Sequence, residues 1–160
     1  MRKIKYIVIH CSAGYGNVES IKKFWKEKLK WKQVGYHYFI DEDGTTHNLA
    51  THDIITNGVK GFNTNAIHIS YQGGVERTNV NKAKDSRTEA QKTAIIDTIK
   101  KVLVELKKTQ TISEIKILGH RDFSVDKNKN GIIESWERIK ECPSFDAIPE
   151  YKNILSADLF

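Results

Sequence analysis

The chain has 160 residues, 39% hydrophobic and 29% charged, and its 26 Lys and Arg against 20 Asp and Glu leave a net charge of +6. A chain of this length buries roughly two-thirds of the surface it exposes when unfolded, so its core needs no staples. Such a composition excludes a disulfide-built mini-protein, a membrane protein, a disordered tail and a collagen-like fibre, and its basic excess favours a polyanionic partner.

The apolar stretch at the start is too short and too interrupted by charge for a signal peptide, so a product made in the cytoplasm is expected. Ile4-Lys5-Tyr6-Ile7-Val8-Ile9 predicts a buried strand ending at His10. Past Gly14-Tyr15-Gly16-Asn17, the residues Ile21, Phe24, Trp25 and Leu29 share one helical face, with lysines on the other. Tyr36 to Ile40 and Thr45 to Leu49 flank Asp41-Glu42-Asp43-Gly44, the pattern of a hairpin. Ala66 to Tyr71 predicts another strand, followed by Gly73-Gly74 and a polar stretch to Ser86. Thr88 and Gln91 have capping-box spacing, and Ile95, Ile99, Val102, Leu103 and Leu106 recur at helical intervals behind them. Ile115 to Leu118 predicts a last strand, ending at Gly119-His120. Alternating strands and helices without repeats or linkers imply one α/β domain over residues 1–160, a central mixed sheet flanked by helices.

His10 and His120 each end a short apolar strand, where sites form in open α/β sheets. Cys142 could add a thiolate. Two histidines and a cysteine are a ligand set for catalytic zinc, which lowers the pKa of its water to about 7. Residue types alone leave a second reading open: a buried structural cysteine and two histidines satisfied by neighbours.

Local motifs go further. Ile7-Val8-Ile9-His10-Cys11-Ser12-Ala13, Val34-Gly35-Tyr36-His37-Tyr38-Phe39-Ile40, Gly119-His120-Arg121-Asp122 and Cys142-Pro143-Ser144-Phe145-Asp146 occur in that order. Together they resemble the zinc-dependent N-acetylmuramoyl-L-alanine amidases, most of all the bacteriophage lysozyme-type branch, which shares its fold with peptidoglycan recognition proteins. The resemblance runs from about Lys3 to Phe145. It implies zinc held by His10, His120 and Cys142, an active-site tyrosine at Tyr36 and an active-site lysine at Lys140. A related branch uses Asp as third ligand, so the Cys-Pro-Ser-Phe-Asp string is what selects Cys142. The chemistry is coherent, because amide hydrolysis needs a nucleophile, a stabiliser for the oxyanion and a proton path to the leaving amine. Taken alone, Tyr36 also reads as a core aromatic and Lys140 as a solvated charge.

Strand alternation puts His37 opposite Tyr36 as a supporting residue, and His47 and His52 are expected to be exposed. Cys11 reads as a small buried apolar group pointing away from His10. The chain departs from the resemblance at His68, where the family often has a small residue, and at Gly58, where relatives often carry a histidine facing substrate. Asn63 and Asn65 read as polar contacts for a peptide stem.

Between His120 and Cys142 lies a second pattern. Asp126, Asn128 and Asn130 alternate as oxygen ligands, and Gly131 permits the turn. Ile132 offers its carbonyl, Glu134 acts through water and Glu137 closes as the bidentate ligand of a twelve-residue, EF-hand-like calcium loop. The alternative is a polar surface loop with Asn-Gly turn chemistry. The loop is expected to lead into a short helix ending near Lys140, so calcium would fix Lys140 and Cys142 relative to His120.

Three functions compete. One is a zinc amidase cutting between N-acetylmuramic acid and L-alanine of the stem peptide. Another is a non-catalytic peptidoglycan-binding module on the same fold, and the last a calcium-regulated or nucleic-acid-binding protein. The dispersed charges lack a basic helix with interleaved aromatics, which argues against nucleic acid. The expectation is a monomeric phage or prophage endolysin acting on the anionic cell wall after holin-type release, with no membrane partner.

Overall fold

The computed structural model describes residues 2–156. Strand β1 (Tyr6–Cys11) is followed by helix α1 (Val18–Glu27), strands β2 (Tyr38–Ile40) and β3 (Thr46–Asn48), and strand β4 (Ala66–Tyr71). Helix α2 (Glu89–Lys107), strand β5 (Lys116–Gly119) and the short helix α3 (Ala147–Tyr151) complete the chain. The five strands form one sheet in the order β3-β2-β4-β1-β5. β1 runs parallel to β4 and β5, β2 parallel to β4, and β3 antiparallel to β2 at the edge. The expected mixed sheet is thus present, with β1 and β4 at its centre.

Side-chain alternation along these central strands makes two different faces. Ile7, Ile9 and Cys11 of β1 and Ile67, Ile69 and Tyr71 of β4 join the cluster built with Ile95, Ile99, Val102 and Leu103 of α2. The capping box forms as the spacing predicts: Gln91 N–H donates to Thr88 Oγ1, and Thr88 N–H to Gln91 Oε1. On the other face Val8 packs with Val59 and Ala66, and beyond them stand His10, His68 and Ser70. In register, His68 faces Val8 and Ser70 faces His10. One face is therefore core, and the other carries the chemistry.

Several boundaries differ from the pattern. β2 begins at Tyr38, so alternation does not govern Tyr36 and His37, and both reach the histidine-bearing side. His47 and His52 are half-buried, not exposed: His47 bonds Asp41 at 2.8 Å and His52 bonds the Tyr38 hydroxyl at 2.6 Å. Of the α1 stripe only Trp25 is buried, while Phe24 is 51% and Leu29 40% exposed. The expected helix before Lys140 is a single 3₁₀ turn, Ser135–Glu137.

Candidate metal centre and cleft

The parallel sheet brings the C-terminal ends of β1 and β5 side by side. His10 is the penultimate residue of β1, and His120 follows β5 directly. Their rings lie 4.9 Å apart. Cys142 arrives from a distant segment and is pinned twice. Arg121 N–H donates to its carbonyl at 2.9 Å, and Cys11 N–H donates to its sulfur at 3.2 Å. Donor atoms of His10, His120 and Cys142 all lie within 4.8 Å of one another.

The donor chemistry fits zinc. Tetrahedral zinc with ordinary bond lengths places its sulfur and nitrogen ligands roughly 3.6 Å apart. Cys142 Sγ is 3.7 Å from His10 Nδ1. Burial, reinforced by His68, His120 and Lys140, holds the His10 imidazole neutral, and burial beside Lys140 brings His120 down to about 4. Neutral rings are the form that ligates metal. Burial pushes the Cys142 thiol well up, Cys11 adding to it and Lys140 opposing, and a cation bound at the sulfur would favour the thiolate.

Tyr36 packs edge-on to Trp25 and 5.0 Å from the His10 ring. Its hydroxyl lies 3.5 Å from the Cys11 carbonyl and beside Ser70. Burial raises that phenol far above its ordinary value, so it remains an O–H donor. Lys140 is exposed and lines the cleft with His10, His120, Cys142 and Tyr36. The pocket at the cluster holds about 230 Å³, and a neighbouring one of about 480 Å³ shares Trp31, Asn57, Gly58, His120 and Lys140 with it. The first alone is smaller than ordinary ligand pockets, and the shared lining makes the two one continuous groove.

Residues 1–143 match the family model for N-acetylmuramoyl-L-alanine amidase. The chain belongs to that amidase family. It is 31% identical to the endolysin of Klebsiella phage KP32 over 144 residues, 88% of this chain and 80% of that one. With the endolysin of Enterobacteria phage K11 the identity is 30%, over 86% of this chain and 79% of the other. The amidase LysC from Clostridium intestinale shares the fold, with TM-score 0.65 and 20% identity across 95% of this chain and 84% of that one. So does a Drosophila PGRP-LB variant in complex with tracheal cytotoxin, with TM-score 0.65, 18% identity and coverage of 95% and 82%. The protein is thus a peptidoglycan amidase with a five-stranded α/β fold, and no helix among its described residues is long and apolar enough to cross a membrane.

Of the two residues read as stem contacts, Asn65 is placed away from the cleft and Asn63 lines it with its side-chain oxygen already engaged. Asn65 lies at the N-terminal end of β4, opposite the metal cluster, where its amide donates to the Lys3 carbonyl at 2.8 Å. Asn63 lines the wider pocket, but its side-chain oxygen is taken up by Val59 N–H at 2.7 Å and His68 Nε2 at 2.8 Å. The cleft wall was missed instead. Phe24, Trp25 and Leu29 of the apolar helical face, and Trp31 beyond the helix, line the groove; periodicity finds such a face but cannot say what it is turned toward. His68 was also missed as a partner of His10, since strand pairing creates that contact.

Proposed function

We propose that the protein is an endolysin-type, zinc-dependent amidase that hydrolyses the bond between N-acetylmuramic acid and L-alanine. The observation that carries this reading is convergence of the His10, His120 and Cys142 donors within 4.8 Å at one end of the amidase cleft. His10, His120 and Cys142 would hold the metal, which when bound polarises the scissile carbonyl and acidifies water. The chain's own groups do the rest. The neutral Tyr36 hydroxyl donates a hydrogen bond to the developing oxyanion, and the Lys140 ammonium adds positive charge at the open side. Phe24, Leu29 and Trp31 shield the reacting amide and give a sugar or an alanyl methyl an apolar wall. Lys60 and Lys140 in the groove favour an anionic stem, in keeping with the +6 charge.

The 126–137 loop is read as a structural calcium site. Glu137 is 1% exposed, and its carboxylate accepts N–H bonds from Lys127 and Glu134. Asp126 Oδ2 accepts from Gly131 N–H at 2.7 Å, while its Oδ1 is buried without a partner. The loop closes at its neck, where Ile139 N–H donates to Ser124 Oγ at 3.1 Å. That neck separates His120 from Lys140, so stiffening it would steady both. As an endolysin the protein would reach the wall through holin lesions and act there as a monomer.

The deciding experiment measures zinc content together with new amino termini released from sacculi. Near-stoichiometric zinc and L-alanine amino termini are expected, both lost in His10→Ala. Zinc without new amino termini would favour the peptidoglycan-binding reading, and new reducing ends would indicate a glycosidase.

A further inference from the structure

The histidine-bearing face of the sheet holds a buried histidine that the reaction does not use. His68 is fully buried, with its Nδ1 2.8 Å from His10 Nε2 and its Nε2 2.8 Å from Asn63 Oδ1. We propose that His68 is a positioning residue: relayed from the Val59 backbone through Asn63, it compels His10 to carry its proton on Nε2 and present Nδ1 to the metal site.

The direction of the relay follows from one group that has no choice. A backbone N–H only donates, and Val59 N–H points at the Asn63 side chain from 2.7 Å, so the atom it meets is the amide oxygen. That same oxygen cannot donate to His68. His68 Nε2 therefore carries the hydrogen. Among the described residues no carboxylate hydrogen-bonds the His68 ring, and a buried unpaired cation is costly, so the ring is neutral and its Nδ1 is an acceptor. His10 Nε2 must then be the donor. What remains is the His10 Nδ1 lone pair, the atom 3.7 Å from Cys142 Sγ.

The surroundings hold the relay in one geometry. The His37 ring stacks at 17° to that of His68, and His37 Nδ1 accepts the His68 backbone N–H at 3.1 Å. Gly58 covers the remaining side. A Cβ there would fall 2.3–2.4 Å from Nδ1, Cε1 and Cγ of His68, so any side chain at 58 displaces the ring. Gly58 and His68 depart from the amidase pattern at two places ten residues apart (68 − 58), and in the fold they are one contact.

This inference rests on the reading of His10 as a metal ligand, but part of its test does not need zinc. Imidazole ¹⁵N NMR of the wild-type metal-free protein should find the His10 proton on Nε2 and the His68 proton on Nε2. A proton on His10 Nδ1 would overturn the proposal whatever the enzyme cleaves. The second measurement is zinc affinity by chelator competition, with the Co²⁺ absorption spectrum as a geometric readout. His68→Ala and Gly58→Ala should each weaken zinc roughly 10- to 100-fold and alter the cobalt bands. His68→Asn, whose side-chain oxygen can stand where Nδ1 accepted, should recover most of that loss. Equal affinity in all three variants and wild type would overturn the proposal, as would His68→Asn failing as badly as His68→Ala. A wild-type protein that binds no zinc while showing the Nε2 tautomers would instead remove the metalloenzyme reading and leave the hydrogen-bond relay standing.

Discussion

The cluster at the strand ends and the 126–137 loop are both sets of metal-type donors, yet they are assembled in opposite ways. In the loop, the donors of twelve consecutive residues are held by the loop's own backbone: Gly131 N–H on Asp126, and Lys127 and Glu134 N–H on Glu137. In the cluster, the three donors lie 110 and 22 residues apart (120 − 10 and 142 − 120) and are held from outside. Cys11 N–H fixes the Cys142 sulfur, Arg121 N–H fixes its carbonyl, and His68 fixes His10. A local site can be built wherever the chain can turn. A distributed site inherits its accuracy from the sheet, and damage to a supporting group is felt at the donors.

Four experiments probe that contrast. The largest effect is expected in the cluster: His10→Ala should abolish zinc binding and bring amidase activity to background, while any calcium response of the loop survives. Loss of both would show that the two regions do not act separately. Next, Tyr36→Phe should lower kcat about 10²-fold with zinc content unchanged, because it removes one oxyanion donor and leaves the ligands intact. A matching loss of zinc would make Tyr36 structural instead.

The third concerns pH. His37 and His120 in the folded protein are brought down from 6.5 to about 4, His37 by burial first and Arg2 and His52 after it, His120 by burial and Lys140. A depressed histidine pKa means that the unfolded chain binds the proton more readily. Stability of the metal-free protein is therefore full above about 6.5 and lost as pH falls toward 4. Denaturant titrations at pH 7.5, 5.5 and 4.5 should show a falling midpoint, and a flat profile would contradict the buried neutral histidine network. The smallest effect belongs to the loop. Millimolar calcium should raise Tm by a few degrees, and Glu137→Gln should remove that rise with zinc retained. An unchanged Tm in wild type would leave 126–137 as a polar turn.

Much of this could be read before any fold was known, and the reasons are physical. The buried run at Ile7-Val8-Ile9, the capping box at Thr88 and Gln91 and the stripe from Ile95 to Leu106 each sit where expected, because short-range periodicity and hydrogen bonding decide them. The motifs around His10, Tyr36, His120 and Cys142 likewise marked the four segments that meet at the cleft. Periodicity failed where a surface had two possible uses. The α1 stripe looks like core and lines the groove, and Asn65 looks like a contact and tethers the chain start.

By itself, then, the sequence determined which elements form, which face of α2 is apolar and which residues have the chemistry to ligate a metal. Tertiary structure alone decided which nitrogen of His10 faces the cluster, why Gly58 carries no side chain and why Asn63 is held inward. Those three depend on parallel pairing of β1 with β4, which sets His10 beside Ser70 and His68 beside Val8 on one face. Strand register is a long-range quantity, and no local pattern of residues encodes it.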